Sequence, residues 1–251
     1  MAMIAVGRRV YSLGAVGLGA VVLAFRAISP DWLPIPAHLS GLALLVWAIG
    51  GGLVLAGLAI NLPRIAPVAA LVLAVLFALG MLAFELPYTV AKPASWGGWQ
   101  ALAESTAMAM GGVLAWAQVT SASSRDRVSR IARLAFGLCL LIFGGSHFVY
   151  AKLTASLVPV WLPPGQLALA YVTGVAQIAA GLALLSGVRA RLAAMLLTVM
   201  YVGFTVLVHI PSVIAAPGSL DNWTENAINL LLIGVAWTVA DGLSGVRRRE
   251  G

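Results

Sequence analysis

Glu85, Glu104, His147, His209 and Glu225 are ionisable side chains set inside long apolar stretches. Ionisable groups at membrane depth are costly to bury, and by default they mark functional positions. Carboxyl and imidazole groups take up and release protons, and a histidine does so near neutrality. Thr198, Tyr201, Thr205 and His209 recur every three or four residues, so on a helix they share one face. Thr173 and Gln177 form an i, i+4 pair, and Glu225, Asn226 and Asn229 fall within two turns of each other. Such groups can hydrogen-bond a polar ligand and exchange protons with it. The expected catalytic residues are therefore Glu85, His209 and Glu225. The expected binding residues are Tyr201, Thr205, Gln177, Asn229, His147 and Glu104. No metal site is expected, because Cys139 is the only cysteine and no zinc-type Cys/His spacing occurs.

Each of these positions also has a structural reading. Asn222 and Glu225 have the N-cap to N3 spacing of a capping box. Thr, Gln and Asn between membrane helices often serve as packing glue. Lys152 reads as a snorkelling anchor and Cys139 as an inert buried thiol. Glu85 reads either as a proton-carrying group or as half of a buried ion pair, for which Arg26 and Lys92 are the basic candidates.

The elements that must carry these residues follow from composition. The chain has 251 residues, 61% hydrophobic and 9% charged, against roughly 25% charged in soluble domains. Lipid must be its solvent, and backbone in lipid is satisfied only within helices or closed barrels. Apolar runs of about 20 residues without alternation select helices. The pattern predicts an all-α, polytopic membrane bundle with eight spans, near 10–28, 38–60, 65–90, 99–119, 132–151, 166–187, 190–213 and 223–242. Arg8 and Arg9 precede the first run as in a secretory signal, but no convincing small-x-small cleavage site precedes Arg26 and the segment has a counterpart later in the chain, so it reads as a retained helix.

The net charge of +7 comes from span ends and does not predict a nucleic-acid partner. With the N-terminus inside, twelve Arg residues fall on the cytoplasmic side against three Lys or Arg outside, so both termini are expected in the cytoplasm of an inner-membrane protein. Trp32, Trp96, Trp99, Trp161 and Trp223 would then form an outer aromatic belt.

The two halves resemble each other. Trp32-Leu33-Pro34 matches Trp161-Leu162-Pro163, and Glu85-Leu86-Pro87 matches His209-Ile210-Pro211. Glu104 with Ala115-Trp116 matches Glu225 with Ala236-Trp237. Four spans in each half make the repeat parallel, about an axis along the membrane normal. The expected organisation is a first unit over 1–119, a linker over 120–131 and a second unit over 132–251. The first half has Ala43, Trp47, Phe77 and Met81 where the second has Thr173, Gln177, Tyr201 and Thr205, so a polar pocket opening to the outer side is expected in the second half.

Phe136-Gly137-Leu138, Phe143-Gly144-Gly145, Lys152, Trp161-Leu162-Pro163, Thr173-Gly174-Val175-Ala176-Gln177, Gly181-Leu182, Gly187 and Arg191 resemble the DoxX-like membrane proteins. The resemblance covers residues 130 to 240, and reaches 9 to 119 through the repeat. Gln177 stands where that family usually has Glu. The resemblance implies a four-helix unit, a subunit of or partner to a quinone-linked oxidoreductase, a quinone as the candidate cofactor, and a soluble or membrane redox partner. His209, Tyr201 and Glu225 would then bond the quinone ring and Trp161 would hold it. The other expectation is a non-enzymatic binding or transport protein for a small lipophilic or anionic molecule, with the lipid bilayer as its surroundings in either case.

Overall fold

A computed structural model describes residues 6–36, 38–121, 123 and 125–247, with only the backbone described for 244–247. Arg248 and Arg249, counted above among the cytoplasmic basic residues, lie outside the described residues, as do 1–5. The described chain is all-helical, with no strand among the described residues. The helices are α1 Val6–Phe25, α2 Leu42–Ala59, α3 Ala66–Ala91, α4 Trp96–Val119, α5 Arg125–Val149, the short α6 Ala151–Leu157, α7 Gln166–Ser186, α8 Ala190–Ala215 and α9 Leu220–Arg247.

Seven of these, all but α4 and α6, are long and apolar enough to cross a membrane. Helix α4 has 24 residues, enough in length, but Gln100, Glu104, Ser105, Thr106 and Gln118 lower its mean hydropathy. Large apolar side chains cover the outer faces, as at Leu44, Leu55, Val68, Val199 and Ile214. A water-soluble surface does not carry this many. The chain is a multi-pass helical membrane protein whose outer faces suit contact with lipid.

Side-chain bonds define the two ends of the bundle. At one end the Gly7 N–H donates to Asp241 Oδ2, Ser12 Oγ donates to the Gly57 carbonyl, and Gln118 Nε2 donates to the Thr238 carbonyl. At the other end Ser29 Oγ donates to Asp221 Oδ1 and Trp96 Nε1 to Ser146 Oγ. Helices α1 and α9 are thus antiparallel, and they touch backbone to backbone. A Cβ added at Gly7 would lie 2.3 Å from Thr238 N, and one at Gly234 2.3 Å from Tyr11 N. Small residues at such seams are the usual means by which membrane helices approach closely.

The packing is reciprocal. The first helix of each half lies against the last helix of the other, α1 on α9 and α5 on α4, and α4 meets α9 between them. Within the halves α1, α2, α3 and α4 pack in order, and so do α5, α7, α8 and α9.

Local features also recur at one constant spacing along the chain. Helix α3 contains a π segment at Met81–Glu85, and α8 contains one at Thr205–His209. Each is followed by a proline, Pro87 or Pro211, at the start of the α-helical turn beyond it. Ser95 Oγ accepts from the Gly98 N–H, and Ser219 Oγ accepts from the Asn222 N–H. Trp99 Nε1 donates to the Pro93 carbonyl, and Trp223 Nε1 to that of Pro217.

Several expectations change here. Ser219, not Asn222, caps α9, because the helix starts at Leu220 and Asn222 lies inside its first turn, its N–H donating to Ser219 Oγ and its Nδ2 to the Ser212 carbonyl at 2.9 Å. Glu225 is therefore no part of a capping box. Helix α5 begins at Arg125, inside the expected linker, with Asp126 in its first turn, where a carboxylate suits the helix dipole. Trp32 does not belong to an interfacial belt, since it is 3% exposed in the core.

Candidate functional site

The second half encloses a cavity of about 480 Å³ between α5, α7, α8 and α9, with α4 contributing Gln100 and Glu104 and α6 forming part of the wall near the Trp96 end. Of the expected residues, His147, Gln177, Tyr201, His209, Glu225, Asn229 and Glu104 line it. Most of the remaining wall is apolar, from Phe143, Phe204, Leu207, Ile228 and Leu232 among others. Two expected residues, Glu85 and Thr205, lie elsewhere.

Helix α8 places its residues through the π segment. Asn229 Nδ2 donates to the Tyr201 carbonyl at 2.9 Å and to Thr205 Oγ1 at 2.7 Å. A π segment disturbs the regular i, i+4 ladder, and such bulges occur often at functional sites. Asn229 supplies a side-chain donor where that ladder changes pitch. Thr205 is thus a structural partner of Asn229, with its own hydroxyl donating to the Tyr201 carbonyl at 3.2 Å. Tyr201 is 2% exposed, and its hydroxyl has no hydrogen-bond partner among the described residues.

Helices α5 and α7 fix the imidazole of His147. Its Nδ1 lies 3.1 Å from the Ala170 carbonyl and 3.0 Å from Thr173 Oγ1. The carbonyl can only accept, so the proton sits on Nδ1. Thr173 donates to the carbonyls of Leu169 and Ala170, leaving its oxygen to accept from the ring. Nε2 of the neutral ring is then an acceptor. The ring also stacks on Phe204, with centroids 6.3 Å apart. Gln177, one turn further along α7, is 3% exposed, and its Oε1 has no partner among the described residues.

The carboxyl groups are spread across the two halves. Glu225 lines the cavity with its side chain exposed into it. Glu104 is buried and accepts from Gln100 Nε2 at 3.1 Å. No Lys, Arg or His among the described residues pairs with Glu85, Glu104 or Glu225; the ion pair described is Arg125 with Asp126, 3.5 Å apart. The spacing that pairs Trp99 with Trp223 sets Glu104 opposite Ile228 and Glu225 opposite Ala101. The two carboxyls thus stand about one turn apart in the two halves, not at one matched position.

Glu85 belongs to the first half and does not reach the cavity. It is 1% exposed, and Ser105 Oγ donates to its Oε1 at 2.5 Å. Neither expected basic partner is used, and Lys92 lies instead over the Tyr88 ring. Ser105 Oγ in turn accepts from Trp32 Nε1 at 3.3 Å, and Trp32 packs on Phe77 with ring centroids 6.4 Å apart. Ser105 carries no signal of its own in the sequence, because it stands between Glu104 and Thr106 on a helix with several polar residues. Trp161 is 69% exposed and does not line the cavity, although its neighbour Leu162 does. Cys139 is a buried free thiol, 4% exposed.

The arrangement can hold a molecule that is largely apolar and meets a few polar atoms. No group of three or more His, Cys, Asp or Glu suited to a metal ion occurs among the described residues. Residues 134–240, the part of the chain that surrounds most of the cavity, match a family described as a domain of unknown function (DUF8561). No curated protein and no solved structure matches the chain.

Proposed function

We propose that this protein is a DoxX-like membrane protein that binds a quinone in the cavity of its second half, as a subunit of or partner to a quinone-linked oxidoreductase. In this reading eight helices span the inner membrane as two parallel repeats, α4 among the spans, with both termini cytoplasmic. The reciprocal packing of α1 on α9 and α5 on α4 and the paired π segments support the repeat. The charge distribution supports the orientation.

The observation that carries the quinone reading is the pair of orphaned polar atoms, the Tyr201 hydroxyl and Gln177 Oε1, in an apolar wall. Leaving a buried polar group unpaired costs about 1–3 kcal/mol. A ligand with ring oxygens relieves that cost. The Tyr201 hydroxyl would donate to one ring oxygen, Gln177 Oε1 or His147 Nε2 would accept from a ring hydroxyl, and Glu225 would hold or pass a proton at the cavity face. A bound quinone supplies two-electron, two-proton chemistry, its electrons exchanged with a redox group on the partner. The apolar side chains exclude water from the ring.

The second reading is a binding or transport protein for a small lipophilic molecule. An anionic cargo fits poorly, because the cavity presents Glu104 and Glu225 and no Lys or Arg. Protein extracted into nanodiscs tests the quinone reading by titration with a short-chain quinone. Saturable binding is expected, weakened roughly tenfold by Tyr201→Phe, the loss of about one good hydrogen bond. Absence of saturable binding, or unchanged affinity in the variant, contradicts it.

A further inference from the structure

The first half offers an internal guide to what the cavity takes. There the turn after α1 folds inward, and Trp32 and Leu33 are 3% and 2% exposed. The Trp32 indole is a flat bicyclic ring that packs on Phe77 and donates its N–H to Ser105, which is bonded to Glu85. It occupies its half of the molecule as a ligand would.

In the second half the same spacing sets Tyr201 where Phe77 stands, Asn229 where Ser105 stands and His209 where Glu85 stands. All three line the cavity. Asn229 uses its Nδ2 on α8, and no hydrogen bond to its Oδ1 is found among the described residues. The acceptor that meets the indole N–H in the first half thus has a counterpart with a free oxygen in the second.

The corresponding Trp161-Leu162 turn does not fill this space, for two physical reasons. Gly80 makes room for Leu33, since a Cβ at that position would come 3.2 Å from Leu33 Cδ2. The matching residue of α8 is Phe204, which stacks on His147 and takes that room. The connection also includes the short helix α6, whose Leu153, Thr154 and Leu157 form cavity wall. The second half is built to stay open where the first is built to be filled.

We propose that the cavity takes a bicyclic aromatic ring bearing a hydrogen-bond donor, within the quinone class a naphthoquinol, seated against Tyr201, Asn229 and His209 as the Trp32 indole is seated against Phe77, Ser105 and Glu85. The redox class of the ligand rests on the quinone reading; the ring size and the donor rest on Trp32.

Binding of three probes to the full chain in nanodiscs tests this: menadiol, trimethylhydroquinone as a monocyclic quinol, and 2-naphthol as a redox-inert bicyclic donor. Menadiol and 2-naphthol are expected to displace each other, with trimethylhydroquinone at least tenfold weaker. Equal or tighter binding of trimethylhydroquinone overturns the ring inference and leaves the quinone reading standing. Saturable 2-naphthol binding with neither quinol bound overturns the quinone reading and leaves the ring inference standing. No binding by any probe overturns both. Phe204→Gly is expected to let the Trp161-Leu162 turn seat and to abolish binding of all probes, and Trp161→Ala added to it to restore binding. A Phe204→Gly protein that melts as the wild type does and binds unchanged overturns the proposed seating.

Discussion

At the scale of single residues, Glu85 shows how a buried carboxyl is accommodated without a cation. One oxygen is held by Ser105, and the other, Oε2, has no partner among the described residues. Glu85→Gln retains an acceptor for Ser105 and is expected to melt close to the wild type. Glu85→Leu leaves Ser105 without its acceptor and is expected to cost about 1–3 kcal/mol, seen as a lower melting temperature in detergent. Equal melting of the two variants contradicts the bond's structural role. The oddity of Glu85 was legible in the sequence because a carboxyl interrupts an apolar run. Its partner was not, because a basic residue is the obvious candidate and the actual donor is a serine on the next helix. Glu225 shows the reverse case. Its spacing from Asn222 imitates a capping box, while Ser219 caps the helix and leaves the carboxyl to the cavity.

At the scale of elements, apolar run length located the long helices, since lipid imposes both length and composition, with most ends close to those expected and the start of α5, at Arg125, the clearest exception. Helix α4 departs from that pattern because it faces protein on both sides, between α3, α5 and α9, and can therefore carry Gln100, Glu104 and Ser105. The π segments left no trace in the hydropathy, because both turn types keep the run apolar. They matter for the site, since Thr205–His209 lies between Tyr201 and the Pro211 turn. The α1–α9 seam depends on the absence of side chains. Gly234→Val would drive a side chain into the backbone of Tyr11 and is expected to destabilise by more than the ~1–3 kcal/mol typical of overpacking. Loss of the folded peak in size-exclusion chromatography, against retention for Gly203→Ala where a Cβ meets nothing within 4 Å, is the expected result. Equal behaviour of the two contradicts the seam.

At the scale of the whole molecule, the proposed repeat rests on short matched motifs, and those motifs do not carry the difference between its halves. Trp32-Leu33-Pro34 and Trp161-Leu162-Pro163 are identical as motifs, yet Trp32 is core and Trp161 exposed. Gly80 against Phe204, and the extra helix α6, make that difference, and neither is visible without the packing. The proposed orientation is tested by thiol labelling in a Cys139→Ser background. A membrane-impermeant reagent on intact cells is expected to label Ser156→Cys and to spare Arg127→Cys; the opposite pattern inverts the topology. The central claim is that the second half holds a lipophilic ring in its cavity. Gly203 lines that cavity with open space around it, so Gly203→Phe fills it without a clash at Cβ. Native mass spectrometry of gently extracted protein is the most direct measurement. One bound quinone-class molecule per wild-type chain, absent from Gly203→Phe, is the predicted result; a bare wild-type chain, or the same adduct on Gly203→Phe, contradicts it.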